Sequence, residues 1–259
     1  MRTPLRLALA MRRALLAGFS GSEEPQSPVH CVRVPSHRPA PILSLKEGQV
    51  FFAESELPDR RRAPAAWVTG EGDPLDHPGI SRATRELQES RRVVFLETDA
   101  RHMRRRIHEF RPDARLYLTV RLYGDAPAHD LRIGQPGAFA LAAEGVRAAL
   151  LSGFLVCCHV VIDATTQTED LQRLLGRVRA MDFDGAVITG AVTRNGDEKD
   201  GVRGKVSAAH ALLGSHWWAA FSAHVERALV VAPQRVPVSG PLRLEQSAAG
   251  ISGDEAVAP

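Results

Sequence analysis

Cysteine is scarce: the 259 residues contain only Cys31, Cys157 and Cys158. Three cysteines cannot build a disulfide framework, and a chain of this length does not need one, so a reduced, cytoplasmic setting is expected. An excess of one charge is also missing. The 33 basic and 30 acidic side chains leave +3, too little to point to nucleic acid as a partner. No apolar run approaches the ~20 residues of a membrane span. The best candidate, 4–18, is broken by Arg12 and Arg13, and no signal-peptide cleavage pattern follows it. Aromatic residues make up only 5%, so the grouping of Trp217, Trp218 and Phe221 stands out. Packing across an open side of the fold is its expected role, with a partner interface the alternative.

What is present is enough apolar content, 44%, for one large core. Residues 4–18 read as a helix with Leu7, Met11 and Leu15 on one side and Arg2, Arg6 and Arg13 on the other. Such a helix packs on the fold, or lies on an anionic membrane as a peripheral contact. From residue 28 onward, β-rich runs at 30–34, 66–69, 92–97, 116–122, 155–162 and 186–189 alternate with helical patterns at 45–56, 80–88, 102–110, 138–151, 168–181 and 205–225. Strands alternating with helices imply a parallel sheet, as a partial barrel or a doubly wound sheet. The chain divides into an N-terminal helix and linker (1–27), a βα body (28–230) and an extension (231–259). The last part of the extension lacks periodicity and is expected to be disordered.

Strand faces carry more information than strand positions. In 116–122, Leu116, Leu118, Val120 and Leu122 share one face, and Tyr117, Thr119 and Arg121 the other. In 155–162, Val156, Cys158, Val160 and Ile162 oppose Cys157 and His159, whose face continues to Asp163. In a βα barrel the apolar face meets the helices, so Thr119, Arg121 and His159 should point inward. They would pair there with one another or with a ligand. His30, Cys31 and His37 are too few and too poorly spaced for a zinc site, and no metal is expected. Cys157 and His159 lie two apart on one strand and lack an orienting third group. The run Arg101-His-Met-Arg-Arg-Arg106, with Arg111 and Arg115, is a solvated helix face or a docking surface for an acidic partner.

The stretch Ala66-Trp-Val-Thr-Gly-Glu-Gly-Asp-Pro-Leu-Asp-His-Pro-Gly-Ile80 resembles the second strand and following turn of radical S-adenosylmethionine (SAM) enzymes, which read roughly T-G-G-E-P-L-x-H-P-x-I. Phe95-Leu-Glu-Thr-Asp-Ala100, Leu118-Thr-Val-Arg-Leu-Tyr-Gly124, Ala128-His-Asp130 and the run from Gly137 to Phe154 follow in the family's order. Within the family, the adenosylhopane-synthase-like subgroup is similar in its N-terminal helix at Pro4-Leu5-Arg6-Leu7. The resemblance implies a partial (β/α)6 TIM-like barrel with its site at the strand C-termini. It also implies a SAM pocket involving Gly72, Asp73 and Pro74, with Thr119, Arg121 and His159 facing it. The family's cluster needs C-x3-C-x2-C after the first strand. This chain has Pro35-Ser-His-Arg-Pro-Ala-Pro41 there, so a [4Fe–4S] cluster is not expected. Glu71 and Asp73 stand where the family has glycine and glutamate. The implied protein is a degenerate member: non-catalytic, binding SAM or another small molecule, or partnering an intact radical SAM enzyme or another protein. The alternatives are a cluster-independent enzyme using Asp73, Glu97, Arg121 and His159, or an active radical enzyme with atypical ligands.

Overall fold

Short βα units in succession place each new strand beside the last, because a right-handed crossover returns the chain to the adjacent edge. The strands here are β1 (Val29–Val34), β2 (Ala53–Glu54), β3 (Ala65–Gly70), β4 (Val93–Thr98), β5 (Leu116–Leu122), β6 (Leu155–Ile162) and β7 (Gly185–Gly190). They form one sheet of order β2-β1-β3-β4-β5-β6-β7. This is a computed structural model, and it describes residues 1, 3–18, 27–34, 53–54, 63–70, 72–191 and 199–231. Only β2 is antiparallel; the other six strands run parallel. The order never reverses, so the connecting helices stay on one face and the sheet curls away from them. The result is the expected α/β partial (β/α)6 barrel, not a doubly wound sheet.

The helices are α1 (Leu5–Gly18), α2 (Ile80–Glu89), α3 (Met103–Arg106), α4 (Ala126–Ile133), α5 (Ala138–Leu151), α6 (Thr168–Ala180), α7 (Lys199–Leu213) and α8 (His216–Val231). Two cores result, one on each side of the sheet. Leu116, Leu118, Val120 and Leu122 on β5, with Val156, Cys158, Val160 and Ile162 on β6, join the convex core beneath the helices. Tyr117 and Cys157, on the opposite faces, join a second core on the concave side. The register read from the alternation is therefore the one the structure adopts.

The lower, N-terminal half of the concave side is filled by aromatic rings. Trp67, Phe95 and Tyr117 pair across β3, β4 and β5 and stack in turn at 5.6 and 4.8 Å. Leu7 and Met11 of α1 and Trp218, Phe221 and Val225 of α8 pack into the same cluster. Helix α8 also joins the sheet's two ends. Ser222 Oγ accepts from Ile188 N and Glu226 Oε1 from Gly190 N on β7, while Arg33 on β1 donates to Leu229 O. Side chains on this helix thus occupy edge-strand groups that would otherwise be open to another strand. Gly185 is obligatory here, because a Cβ would lie 2.1 Å from the Trp218 ring.

Four expectations change. Residues 53–54 are a strand pairing with β1, not part of a helix; the rest of 45–56 lies outside the described residues. Edge pairing overrides local propensity there. The helix expected at 102–110 is one turn, α3, followed by a 3-10 turn at Ile107–Glu109. The helix expected at 205–225 is two helices, broken where Gly214 adopts φ 69°. Helix α4 was not anticipated. Its Pro127 lies in the first turn, where proline is tolerated because the N–H has no helical partner. The loop 35–42 and the tail 246–259 also lie outside the described residues.

Candidate functional site

Above the aromatic layer the same concave face turns polar. β3 contributes Thr69, β4 Glu97 and then Asp99, β5 Thr119 and Arg121, β6 His159, and β7 Thr189, all by the period of two that puts alternate residues on one face. Glu97 is central. Its Oε1 lies 2.6 Å from His159 Nδ1 and 3.8 Å from Arg121 Nε. His159 Nε2 is 2.8 Å from Thr189 Oγ1, and Trp67 meets the imidazole edge-on at 5.1 Å. Burial pushes the Glu97 carboxyl up, but Arg121 and His159 outweigh it and hold the group at about 2. Both nitrogens of His159 are engaged, so it braces β4, β6 and β7 together.

A second cluster sits at the mouth, where β3 and β4 end. Asp73 precedes the 3-10 turn Pro74–Asp76. Its Oδ1 accepts from Leu75 N at 3.0 Å and its Oδ2 from Thr98 Oγ1 at 2.8 Å. Its carboxyl also interacts electrostatically with that of Asp99. Burial, and then the Asp99 charge, push Asp73 well above the usual carboxylate range. Burial also pushes Asp99 up, but hydrogen bonds from Arg101 and Asp73 bring it below its ordinary value. Asp99 Oδ2 in turn meets Arg101 Nη2 at 2.7 Å. Arg101 continues to Gln135 Oε1.

This turn is held from the neighbouring unit. His102 Nδ1 meets Asp76 Oδ1 at 2.5 Å, and Arg106 donates to Leu75 O and His77 O while forking onto Glu109. The basic run is thus largely consumed within the fold: Arg101, His102, Arg104 and Arg106 all have acidic partners.

The candidate residues fall into two groups. Arg121 and His159 meet at Glu97, with Thr119 beside them. Gly72, Asp73 and Pro74 form the mouth turn, with Gly72 exposed and the other two buried. The groups communicate through charge, since Asp99 acts on Arg121. Thr98, Asp99, Arg101 and His129 were not picked out as site residues in the sequence. The period of two that places Glu97 inward also places Asp99 inward, and that signal was available. Several buried atoms around the site have no hydrogen-bond partner among the described residues: Trp67 Nε1, Thr119 Oγ1, Arg121 Nε and both nitrogens of His129.

The cysteines do not fit a cubane cluster. All three are buried, and no grouping of three metal-ligating side chains exists among the described residues. Cys31 lies in the aromatic layer and Cys157 joins the same concave core from β6, while Cys158 is in the convex core. Burial raises the Cys157 thiol well above its ordinary value and pushes Cys158 up to about 12. Cluster ligation needs three convergent thiolates. His30 and Cys31 also part: His30 meets Arg92 at 2.9 Å, while Cys31 faces the concave side; His37 lies outside the described residues. Cys157 donates to its neighbour's carbonyl, not to His159.

No family model matches this chain, and no curated protein does. Twelve chains of solved structures match. One is Streptococcus suis SuiB, at TM-score 0.46 and 12% identity over 59% of this chain and 37% of that one. SuiB bound to S-adenosylmethionine gives 0.46 and 12% over 59% and 38%. SuiB bound to precursor peptide SuiA gives 0.47 and 11% over 61% and 40%. The chain thus spans about two fifths of SuiB's length.

Proposed function

We propose that this chain is a half-barrel of the radical SAM type, similar to the adenosylhopane-synthase-like subgroup, that has given up the iron–sulfur cluster and serves as a ligand-binding accessory protein. The ligand we assign to the mouth carries a cationic amine, with S-adenosylmethionine the first candidate. The partner is an intact radical SAM enzyme or another protein of the same biosynthetic step. One observation carries the reading: the three cysteines are buried in the two cores, while a carboxyl pair stays at the mouth near buried polar atoms that have no hydrogen-bond partner among the described residues.

The chemistry of binding follows from the proton that burial and the Asp99 charge favour on Asp73. An amine entering between Asp73 and Asp99 replaces that proton, ionises Asp73 and gains charge-assisted hydrogen bonds. Binding therefore releases a proton, and affinity rises with pH until Asp73 ionises in the free protein. Anaerobic reconstitution with iron and sulfide, followed by iron quantitation, an absorbance spectrum and a SAM titration, tests this. The expected result is no retained iron, and SAM binding that weakens at least about tenfold in Asp73→Asn. About four irons per chain with a cluster absorbance band would overturn it, as would a titration without binding.

A second reading, cluster-independent acid–base chemistry by Asp73, Glu97, Arg121 and His159, is favoured by the proton that Asp73 retains. Alanine or amide changes at these four positions that leave ligand binding and every screened activity unaltered would remove its basis.

A further inference from the structure

Helix α1 is apolar on two sides, and the core uses only one. Leu7 and Met11 are buried at 1% and 7% exposure among the aromatic rings of the concave layer. Leu5, Leu9 and Leu16 are 73%, 57% and 60% exposed. At 100° per residue these three fall within about 40° of one another, on the side away from Leu7 and Met11. A soluble helix seldom spends three leucines on its solvent face without a use for them.

The charge around this stripe has one sign. Arg6, Arg12 and Arg13 flank it, and residues 1–22 contain no aspartate or glutamate. Arg12 lies about 20° from the Leu5 direction, and Arg13 and Arg6 about 40° and 60° beyond Leu9, at 100° per residue. Apolar residues bordered by arginine form the arrangement that lies in a lipid headgroup region: the leucines enter the acyl boundary while the guanidinium groups meet phosphate. Fourteen residues are too few to span the ~20-residue core, and no helix among the described residues is long and apolar enough to cross a membrane. On a membrane, α1 as described would lie along the surface, not cross it.

The rest of the fold adds to this face. The helices run back against the strands, so their C-termini gather at the barrel's lower end, opposite the mouth. Leu151 at the end of α5 and Leu212 at the end of α7 are both exposed there. Met1 and Thr3 line a groove with Phe183, Gly214 and Trp217 at that same end. Of the nine large apolar side chains that the described residues expose, six (Met1, Leu5, Leu9, Leu16, Leu151 and Leu212) belong to α1 or to this end.

We propose that α1 docks the protein on an anionic membrane surface through Leu5, Leu9, Leu16 and the flanking arginines, with the polar mouth turned toward the aqueous phase. The occupant is the lipid surface because the flank is purely cationic; a second copy of this helix would bring arginine against arginine. This holds whether or not the mouth binds SAM.

Flotation of the full chain with phosphatidylcholine vesicles, with and without phosphatidylglycerol, tests it. Recovery is expected with the anionic vesicles only and is reversed at high salt. Leu9→Glu with Leu16→Glu, both exposed, should leave the melting temperature unchanged and reduce recovery at least about tenfold. Arg12→Glu with Arg13→Glu should reduce it by a similar factor, about tenfold or more. Equal recovery on neutral and anionic vesicles, no recovery on either, or recovery unaffected by both double variants would overturn the proposal. So would a concentration-dependent dimer that the leucine variant dissolves while vesicles recover nothing, because the face would then belong to a second copy.

Discussion

The two halves of the concave face are made by the same strands with the same alternation, yet they hold opposite chemistries. Below, Trp67, Phe95 and Tyr117 stack against Trp218 and Phe221. Above, Glu97, His159 and Thr189 are joined by hydrogen bonds, and Asp73 is buried beside Asp99. Each strand changes character two or four residues along: Phe95 gives way to Glu97, Tyr117 to Thr119 and Arg121, and Cys157 to His159. In βα barrels the lower end serves stability and the strand C-termini carry the site. The division here falls within single strands, so changes below and above should produce different kinds of loss.

The largest effect belongs below. Trp218→Ala removes a ring in contact with Phe95, Tyr117, Trp217 and Phe221. It should cost about 3–5 kcal/mol, read by denaturant unfolding. Gly185→Ala attacks the same contact by overfilling and should cost about 1–3 kcal/mol. Ligand affinity per folded molecule should hold in both. A Gly185→Ala protein of unchanged stability would mean that Trp218 is not held where the structure places it.

Glu97→Gln tests the boundary between the halves. It keeps the shape but leaves Arg121 without its carboxylate, a loss of roughly 3 kcal/mol for a broken buried pair. The pH signature separates charge from packing. The folded pKa of Glu97 is lowered to about 2 from an ordinary 4.5. Its stability contribution is therefore present above pH 4.5 and is lost as pH falls toward 2. The wild type should lose roughly 3 kcal/mol across that window through this group, and the variant should lack that component. Parallel acid-unfolding curves for the two proteins would show that Glu97 is not an ion in the fold.

Much of this architecture was legible because alternation in β5 and β6 is strict. Four apolar residues at spacing two leave one register that buries them all, so Thr119, Arg121 and His159 had to face inward. The way those residues combine was not legible. The link from His159 to Glu97 joins residues 62 apart in sequence, and it depends on barrel curvature that no local pattern encodes. The proximity of Asp73 and Asp99 depends likewise on where two loops end. Helix α4 escaped notice because it has only eight residues, with Pro127 in its first turn, too short a run for a clear helical period. The turn from Asp73 to His77 was recognisable as a motif, but its anchoring by His102 and Arg106 was hidden in what looked like a solvated basic run.

Asp73→Asn probes the upper half with a smaller effect. The raised pKa means that the fold holds a proton which the unfolded chain releases above its ordinary 3.8. The stability that goes with that proton is complete below 3.8 and declines, by about 1.4 kcal/mol per pH unit, as pH rises toward the folded value. Asparagine keeps a donor toward Asp99 and does not titrate. The variant should match the wild type in acid and gain on it steadily as pH rises, while losing affinity for a cationic amine. A constant offset at every pH would mean that the Asp73 carboxyl is not raised in the fold.

The smallest effect is expected just outside the mouth. Arg104 belongs to the same basic run as Arg101 and Arg106, but its bond to Glu144 joins side chains 66% and 52% exposed. Exposed pairs contribute about 0–1 kcal/mol because solvent screens them and two long side chains must be held. Arg106 instead donates to two carbonyls of the mouth turn from a partly buried position; His77 O also accepts from Ile80 N, so Arg106→Ala should cost about 1–3 kcal/mol by leaving Leu75 O unmet. Arg104→Ala should fall within about 0.5 kcal/mol of wild type. Equal losses for the two would mean that the basic run acts as a unit and not as one anchor beside one solvated charge.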